Sequence, residues 1–381
     1  MRQIVCLSTS NYHPYPTRKQ NIMNRLHDAE IIYFDPPISR IAPLKDKSLK
    51  PRLNKFRKPG EKVQDNITVY ALPPVWPLGN KYRFINRLNQ RRQACFIRTK
   101  LAEHGFSKPS LWCYSPTAAD ILPYLEYHGL IYDCVDRHSA YKGLINPVIV
   151  DAMECDLAKT ADMVFSTAIG LHETLSQYNS EAMMIPNGAA FELFNQAADA
   201  EGYQRPHDKK PVFGFVGMLQ DCIAYDYLLA LADAMPDGEI QLIGRVMPGV
   251  DVSKLVTQSN IKLLGLLPQQ ELPDIMRNFD VCLNIFSPGL LAKDVSPLKF
   301  YEYLATGKPI VSTEEPLQVR GYADIIYIAN SKEEFVRLCK DALAENDNDL
   351  RLRRIEAGQA ANWDNRVKQI EEILVRKGIL S

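Results

Sequence analysis

The sequence predicts an α/β protein made of two doubly wound, Rossmann-like domains that face a central cleft. Short runs that are apolar along their whole length recur through the 381 residues and alternate with helical stretches, which is typical of parallel sheets covered on both faces. The pattern occurs twice, and the small, polar and charged segment 197–210 separates the two series. Such a segment has the composition of a linker. The length is also about twice that of an ordinary domain.

Each short apolar run bounded by turn residues is interpreted as a buried strand. In the first domain, residues 1–200, the predicted strands are Gln3–Ser8, Ile31–Phe34, Ile67–Leu72, Leu111–Tyr114, Ile131–Val135, Met163–Ser166 and Ala182–Ile185. In the second domain, residues 208–381, they are Val212–Val216, Ile240–Ile243, Ile261–Leu264, Val281–Ile285, Ile310–Ser312 and Ile325–Ile328. Helices between the strands provide the crossovers, and the last helix is free to pack back on the first domain.

Composition excludes several classes of protein. Hydrophobic residues make up 46% of the chain and charged residues 24%, and these ordinary globular values argue against a disordered, collagen-like or coiled-coil chain. The 45 basic and 45 acidic residues cancel, so net charge gives no reason to expect nucleic-acid binding. No apolar run approaches the roughly 18 residues that span a bilayer, and the first apolar stretch is interpreted as a strand, not a signal peptide. We therefore expect a cytoplasmic protein whose eight scattered cysteines are reduced and bind no metal.

The balanced charge conceals one strongly basic segment. Residues 40–100 contain 16 Lys or Arg and 3 Asp or Glu, and a segment of this kind usually faces something anionic. Its part Ile41–Lys62 has little periodicity and is expected to be a mobile insertion. Between Arg83 and Leu101, arginines interleave with apolar residues, which resembles an amphipathic helix lying on anionic lipid headgroups. A basic exposed face that only aids solubility is about as well supported.

The most informative segment is 287–313, where the pattern predicts a capped helix followed by a buried strand. Ser296 is a suitable N-cap, and Pro297 suits the first helical position. Gly307 is a natural end to the helix, because glycine adopts the left-handed conformation that often follows the last turn.

Two charged residues lie in the first half of this helix. Lys299 is in the first turn, where the helix dipole disfavours a cation unless an anion such as phosphate binds there. Glu302, three residues later, would accept hydrogen bonds from ribose hydroxyl groups. The alternative, which spacing alone favours slightly, is a solvated Lys–Glu pair on an exposed face.

The order of these residues resembles a known motif. The run Pro-x-Lys-x-x-Glu-Tyr-Leu-Ala-x-Gly-x-Pro at 297–309 is similar to the nucleotide-sugar-binding motif of retaining GT-B glycosyltransferases of group 1 type. The similarity is greatest to the bacterial branch that makes capsule, exopolysaccharide and teichuronic-acid polymers. The resemblance implies that Glu302 binds the nucleotide ribose. Asp294 takes the position of the family's first Glu, and the following residues, Ser296 among them, replace the glycine-rich stretch that meets the donor sugar.

Other segments extend the resemblance over nearly the whole chain. Pro211–Leu219 looks like the first strand and loop of the family's nucleotide domain, which implies that the loop at Gly217 binds the diphosphate. In the first domain, Pro16-Thr17-Arg18-Lys19 resembles the same surface-polymer branch. Arg18 and Lys19 would then neutralise the diphosphate or an anionic acceptor. The alternative is that both residues form a solvated basic helix start.

Tyr132–His138 ends a predicted strand with several charged side chains. Carboxylates at a buried strand end are costly unless they are paired or functional. By resemblance, Asp136 contacts the donor sugar, and His138 is the second choice for that role. Asp133 is expected to cap or pair structurally.

The sequence departs from the family after Gly217, where many relatives carry Arg and Lys. Here no basic residue appears until Arg245. Either Arg245, Lys299 and Arg18 supply the positive charge, or the protein binds nucleotide without good catalysis. No metal-ligand spacing or P-loop is present, so we expect a metal-independent reaction in which protein cations and helix N-termini stabilise the diphosphate.

These expectations combine into one predicted function. The chain would transfer a glycosyl unit, by resemblance a hexose, from a UDP- or GDP-linked sugar to a lipid-linked or glycan acceptor in surface-polymer biosynthesis, with retention and without a cofactor. It would work in the cytoplasm, peripherally on the inner face of the cell membrane, and bind no nucleic acid. The alternatives are another GT-B enzyme, such as a nucleotide-sugar epimerase, and a non-catalytic nucleotide-binding scaffold of a polysaccharide assembly.

Overall fold

The computed structural model describes residues 2–199, 206, 208–289 and 293–380. It divides into two compact units: unit 1 comprises Met1–Ile185 and Val367–Ser381, and unit 2 comprises Pro186–Arg366. Unit 1 therefore ends before the predicted boundary at residue 200. The reason is that Ala189, Phe194 and Ala197 are buried in a hydrophobic core of unit 2. The predicted linker 197–210 lies partly outside the described residues.

The sheet of unit 1 has eight strands. They are β1 (Arg2–Leu7), β2 (Ala29–Asp35), β3 (Glu61–Gln64), β4 (Ile67–Ala71), β5 (Ser110–Cys113), β6 (Leu130–Cys134), β7 (Met163–Ser166) and β8 (Ala182–Met184). Their order is β3-β4-β2-β1-β5-β6-β7-β8, and all neighbours are parallel except the hairpin partners β3 and β4. The sequence analysis missed β3 because an exposed and mostly polar edge strand lacks the apolar run of the buried ones.

The sheet of unit 2 has six strands, all parallel. They are β9 (Val212–Val216), β10 (Glu239–Ile243), β11 (Ile261–Gly265), β12 (Val281–Asn284), β13 (Ile310–Thr313) and β14 (Tyr327–Ala329). Their order, β11-β10-β9-β12-β13-β14, is that of a doubly wound dinucleotide-binding sheet. The strand order reverses between β9 and β12, and ligands of such sheets bind outside the carboxyl ends of the strands at that point.

Helices cover both sheets and complete their cores. They are α1 (Arg18–Met23), α2 (Ala42–Lys45), α3 (Arg83–Glu103), α4 (Pro147–Thr160), α5 (Ile169–Leu175), α6 (Phe191–Phe194), α7 (Tyr225–Ala234), α8 (Ser253–Val256), α9 (Leu272–Met276), α10 (Leu298–Thr306), α11 (Lys332–Leu343), α12 (Asn348–Ala360) and α13 (Trp363–Arg376). From Val367 onward α13 belongs to unit 1, where Ile370 and Leu374 are fully buried. None of the helices in the described ranges has the length and apolar character needed to cross a membrane.

The segment Ile41–Lys62, expected to be a mobile insertion, contains regular structure. It includes α2, a 3-10 helix at Lys47–Arg57 and the start of β3. The Lys55 ammonium lies 2.7 Å from a carboxylate oxygen of Asp35, and the Arg52 guanidinium donates to the Asn11 side chain at 2.9 Å. These contacts fasten the basic segment to the last residue of β2 and to the loop that follows β1.

Candidate functional site

In unit 2, the helix predicted within 287–313 is α10, and it begins later than predicted. Pro297 is its N-cap, and Ser296 does not cap it. The Ser296 hydroxyl instead accepts a hydrogen bond from the backbone N–H of Asn187 (3.1 Å), and its carbonyl accepts one from the Asn187 side chain (2.7 Å). The N-cap expectation is therefore wrong, because the hydroxyl is used to hold the loop at Asn187. Gly307 ends the helix as predicted, with φ of +69°.

Lys299, in the first turn of α10, holds its ammonium group between two aromatic rings. Its Nζ lies 3.7 Å from the centre of the Phe215 ring and 4.7 Å from that of Phe286. Phe215 is in β9 and Phe286 follows β12, so the ammonium lies where the strand order reverses. The residue is 8% exposed. Burial lowers the pKa of Lys299 to about 7, although Cys222 and Glu302 favour the charged form.

Glu302 lies almost one turn further along α10 and is also 8% exposed. Burial raises the pKa of its carboxyl group to about 7, whereas Gln269 and Lys299 favour the charged form. The alternative of a solvated Lys–Glu pair is therefore wrong, since the helix is buried from Lys299 to Thr306. Burying two ionisable groups on one helix is costly unless they serve a ligand or each other.

The loops after β9 and β10 approach each other through two glycines. Gly217 and Gly244 have φ values of +144° and +147°, which residues with a Cβ rarely adopt. A Cβ on Gly244 would lie 1.9 Å from the Gly217 carbonyl oxygen, and a Cβ on Gly217 would lie 3.1 Å from the Nζ of Lys299. Glycine at 217 thus keeps the backbone beside the Lys299 ammonium accessible to a ligand.

The other residues predicted for the nucleotide domain differ in accessibility. Arg245 follows Gly244, and its carbonyl accepts a hydrogen bond from the Leu219 N–H (2.9 Å), while its side chain is exposed. Asp294 is buried, with 4% exposure. The structure therefore places Gly217 against Lys299 and Arg245 in the adjoining loop, whereas Ser296 and Asp294 are buried.

In unit 1, Arg18 is in the interior, so the alternative of a solvated helix start is wrong for it. It is 1% exposed, and its Nε lies 3.0 Å from each carboxylate oxygen of Asp133. Its Nη1 donates to the Ile185 carbonyl at 3.0 Å. These contacts favour a structural role, because they tie α1 to the ends of β6 and β8. Asp133 forms the structural pair that was expected of it.

Lys19, Asp136 and His138 form a second group near the end of β6. Lys19 is 5% exposed, and its ammonium lies 5.3 Å from the centre of the Tyr114 ring. Burial lowers the pKa of Lys19, and Asp136 is the largest influence that opposes this shift. Lys19 is therefore not part of a solvated helix start.

Asp136 and His138 are partly buried. One carboxylate oxygen of Asp136 accepts a hydrogen bond from the Tyr141 hydroxyl at 3.0 Å, and the His138 Nε2–H donates to the Tyr114 carbonyl at 3.0 Å. Burial lowers the pKa of His138 to about 4, although Asp136 opposes the shift. The imidazole is thus neutral near pH 7, and its Nε2–H is engaged with the Tyr114 carbonyl.

The sequence analysis missed the groups that surround the predicted residues. Phe215 and Phe286 looked like ordinary core residues, because the order of the strands decides which ring meets Lys299. Gly244 could have been predicted as part of the site, since it directly follows a strand just as Gly217 does. In the parts of the chain that the structure describes, no cluster of three or more His, Cys, Asp or Glu side chains is placed to bind a metal ion.

Comparisons with known proteins agree with this architecture. Residues 226–372 match the family described as glycosyl transferase-like. TuaH of Bacillus subtilis (strain 168), a protein with a proposed role as a teichuronic acid biosynthesis glycosyltransferase, is 24% identical over 280 residues, which cover 68% of this chain and 70% of TuaH.

Solved structures of GT-B enzymes share the fold. Sucrose-phosphate synthase from Thermosynechococcus elongatus has a TM-score of 0.72 at 14% identity, with 99% of each chain covered. Trehalose 6-phosphate synthase from Burkholderia multivorans has a TM-score of 0.68 at 12% identity, again with 99% of each chain covered. HepE of Anabaena in complex with UDP and glucose has a TM-score of 0.62 at 15% identity, with 98% of this chain and 99% of HepE covered. These structures show that the chain has the GT-B fold, and the family match over residues 226–372 and the relative TuaH make it similar to group 1 glycosyltransferases.

Proposed function

We propose that this glycosyltransferase moves a sugar from a nucleoside-diphosphate sugar, with UDP- or GDP-linked donors the first candidates, to a lipid-linked or glycan acceptor of surface-polymer biosynthesis. The role proposed for TuaH supports the polymer context, and the complex of HepE with UDP and glucose supports a UDP-linked donor. The observation that carries the proposal is the buried Lys299 ammonium beside the Gly217 backbone at the reversal of strand order.

The diphosphate is proposed to bind at Lys299 and the Gly217 loop. An ammonium at a helix N-terminus adds its charge to that of the free backbone N–H groups, so the two favour the same anion. Positive φ at Gly217 and Gly244 leaves no side chains to keep phosphate oxygens from that backbone. Lys299 would then supply part of the positive charge that the segment after Gly217 lacks, and the exposed Arg245 would supply the rest.

The ribose is proposed to bind at Glu302. Its carboxylate lies on the same helix as Lys299, one turn deeper, so diphosphate and ribose would meet neighbouring turns of α10. A charged acceptor of hydrogen bonds from ribose hydroxyls contributes about 1.5–3 kcal/mol. Because the free carboxyl group is buried, a ligand that donates hydrogen bonds to it would also relieve part of its desolvation.

The reacting sugar is proposed to contact Asp136, with His138 as a neutral hydrogen-bonding neighbour. The transfer would retain the anomeric configuration, and the leaving phosphate would accept the proton of the acceptor hydroxyl. The protein's part would be to stabilise the charge that develops on the diphosphate, through Lys299 and Arg245. No metal ion is assigned a part in this proposal.

The enzyme is also proposed to work at an anionic membrane surface through the outer face of α3. Phe84 and Leu88 are 62% and 60% exposed on this helix, and exposed arginines at 91, 92 and 98 share its surface. Fewer apolar side chains of α3 can contact lipid than its sequence suggested, because Ile97 and Leu101 are buried in the core of unit 1.

A binding screen followed by a transfer assay tests the donor. Melting temperatures of the purified protein would be measured with UDP-, GDP-, ADP- and dTDP-linked sugars, since a ligand at 100 times its Kd stabilises by about 2.7 kcal/mol. The donor that stabilises would then be incubated with acceptors, and the product's mass and the NMR coupling of its anomeric proton would be recorded. We expect a mass increase of one sugar unit and retained configuration.

The variant Glu302→Ala tests the proposed ribose site. Glu356→Ala, at an exposed position of unit 2, is the matched control. We expect Glu302→Ala to melt as a folded protein and lose most donor stabilisation, and Glu356→Ala to behave as wild type. Unchanged donor affinity in Glu302→Ala would remove the ribose assignment. An epimerised donor without transfer would identify an epimerase, and donor binding without turnover would favour the scaffold alternative.

A further inference from the structure

In unit 2, the last N–H group of strand β9 is bonded to a side chain of α10 and not to a neighbouring strand. The backbone N–H of Val216 donates to the hydroxyl oxygen of Tyr303 at 2.7 Å. Val216 is 7% exposed and Tyr303 is fully buried, so the bond is shielded from water. A buried backbone N–H that loses its partner is strongly unfavourable, and the hydroxyl therefore holds the end of β9 in place.

The bond forms because β9 separates from β12 before it ends. The pairing of β9 with β10 continues to Val216, whereas its pairing with β12 stops two residues earlier, at Gly214. Successive N–H groups of a strand point to opposite neighbours, and the N–H of Gly217 donates to a β10 carbonyl at 2.8 Å. The N–H of Val216 therefore points toward β12 where the pairing with that strand has ended. The Tyr303 hydroxyl takes the place of a strand carbonyl there.

Tyr303 lies on the same face of α10 as Lys299, because residues four apart on a helix are neighbours. The Lys299 Nζ lies 3.7 Å from the centre of the Phe215 ring, and a Cβ on Gly217 would lie 3.1 Å from that nitrogen. Tyr303 bonds the residue between these two. One face of α10 thus meets three successive residues of the chain, and the hydroxyl contact fixes the distance between the helix and the end of β9.

The backbone after Gly217 offers an N–H group to a ligand. The N–H of Leu219 donates to the Arg245 carbonyl at 2.9 Å, and that of Gly217 is used within the sheet. Between them, the N–H of Met218 has no hydrogen-bond partner in the parts of the chain that the structure describes, and Met218 is 57% exposed. The direction of this N–H depends on the peptide groups before it, and hence on how Val216 is held.

We propose that Tyr303 is a positioning residue for the donor diphosphate: by holding the N–H of Val216 it places the backbone N–H of Met218 and the Lys299 ammonium so that both meet the same phosphate group. This inference rests on the proposed donor site at Gly217 and Lys299. Tyr303 itself is buried and would not contact the ligand. Since it acts on the phosphate-binding backbone alone, its hydroxyl should matter for a nucleoside diphosphate and not for the nucleoside.

Isothermal titration of the full-length protein tests the proposal with Tyr303→Phe, which removes one oxygen atom. UDP and uridine are the probes, and GDP and guanosine are titrated in parallel. We expect Tyr303→Phe to bind the diphosphate about three- to tenfold more weakly than wild type, which is the range for one uncharged hydrogen bond. The nucleoside should bind within about twofold of wild type, because no contact with it changes.

Tyr327→Phe is the matched control. The Tyr327 hydroxyl donates to a carboxylate oxygen of Glu345 at 3.0 Å, and Tyr327 is in β14, the edge strand of the same sheet. Each variant loses one hydrogen bond of a tyrosine hydroxyl within unit 2, so both should melt at a somewhat lower temperature than wild type. Tyr327→Phe should nevertheless bind UDP as wild type does. A general loosening of unit 2 would weaken UDP binding in both variants.

Amide hydrogen exchange provides a second measurement that does not require a folded variant. In wild type, the Val216 amide should exchange slowly, and UDP should slow it further while the amide of Ala329 in β14 is unchanged. In Tyr303→Phe, the Val216 amide should lose its protection. If Tyr303→Phe does not fold, exchange of the wild-type Val216 amide that UDP leaves unchanged would contradict the proposal.

Other outcomes would also overturn the role of Tyr303. These are wild-type diphosphate affinity in Tyr303→Phe, an equal loss for UDP and uridine, an equal loss of UDP affinity in Tyr327→Phe, and rapid exchange of the Val216 amide in wild type. If Lys299→Met still weakens UDP binding selectively in any of these cases, the proposed donor site stands and only the role of Tyr303 is wrong. A wild-type protein that binds neither UDP nor GDP would overturn both.

Discussion

The Nζ of Lys299 lies 3.7 Å from the centre of the Phe215 ring, so a buried ammonium is held against an aromatic face and not against a carboxylate. A ring face attracts a cation without neutralising it. The charge therefore remains available to an anion that enters beside Gly217. The proposed diphosphate contact of Lys299 requires an ammonium that no internal ion pair neutralises, and this contact with a ring provides one.

Lys299→Met should weaken binding of UDP much more than binding of uridine. Methionine and lysine side chains have similar length, so the variant largely retains the packing around residue 299 but loses the positive charge that would face the diphosphate. Charge-assisted hydrogen bonds of this kind contribute roughly 1.5–3 kcal/mol, or about ten- to a hundredfold in Kd. Isothermal titration with both ligands provides the comparison. Equal losses for UDP and uridine would show that Lys299 does not contact the phosphates.

Affinity for UDP-glucose should fall as pH rises above about 7. Burial lowers the pKa of Lys299 to about 7, so the free protein loses the ammonium charge above that pH, and a bound diphosphate must restore the proton. The loss approaches about tenfold per pH unit. Lys299→Arg should remove this dependence, because guanidinium stays protonated.

The Glu302 carboxyl group also titrates near pH 7, and it must be separated from Lys299. The pH series is therefore repeated in a Glu302→Gln background, where the loss of affinity above pH 7 should remain. A pH-independent Kd in that background would mean that Lys299 is already fully charged in the free protein or does not contact the donor.

Gly217→Ala should reduce donor affinity more than an equivalent change elsewhere. The alanine methyl would lie 3.1 Å from the Lys299 Nζ, and the backbone has φ of +144°. Gly265→Ala is the matched control, since Gly265 has φ of +72° and no heavy atom within 4 Å of an added Cβ. Both variants should lose about 1 kcal/mol of stability or more from the backbone conformation. Similar donor affinities in the two variants would argue against close approach of a ligand to Gly217.

Asp133→Ala should destabilise unit 1 by roughly 3–5 kcal/mol, because it leaves the fully buried guanidinium of Arg18 without its carboxylate. Urea unfolding measures the loss. The double variant Arg18→Met, Asp133→Leu should be more stable than Asp133→Ala, since it removes both charges. A small effect of Asp133→Ala would reopen a ligand-binding role for Arg18.

The sequence predicted the strands well where they are apolar and poorly where tertiary contacts decide the outcome. For β1 and β9, the apolar composition of the run is sufficient to predict a strand. By contrast, Arg18 and Asp133 are 115 residues apart, and nothing local indicates that they pair. Nothing in the local sequence indicates that the amide side chains of α3 are buried, because their burial depends on which loops lie opposite. Similarly, only the packing of Phe194 and Ala197 into unit 2 shows that unit 1 ends before residue 200.

The outer face of α3 should bring the protein to anionic membranes. Each Lys or Arg near such a surface contributes about 1 kcal/mol, and the attraction decays over a Debye length of ~8 Å at physiological salt. Phe84 and Leu88, both largely exposed, would add apolar burial. Co-sedimentation with vesicles containing phosphatidylglycerol should therefore show binding that requires the anionic lipid and falls steeply as salt is added.

Two variants locate the membrane-binding surface. Replacing Arg91, Arg92 and Arg98 by Gln removes three exposed charges and should abolish most of the binding. The matched control replaces Lys254, Lys262 and Lys340, exposed residues of unit 2, by Gln; it changes net charge equally and should bind as wild type. Arg87 is left unchanged because its Nε lies 3.7 Å from the Asp120 carboxylate. If both triple variants lose binding to the same extent, the attraction depends on net charge alone. Binding that ignores salt, or no binding to anionic vesicles, would mean that the basic segment serves an anionic acceptor or only solubility.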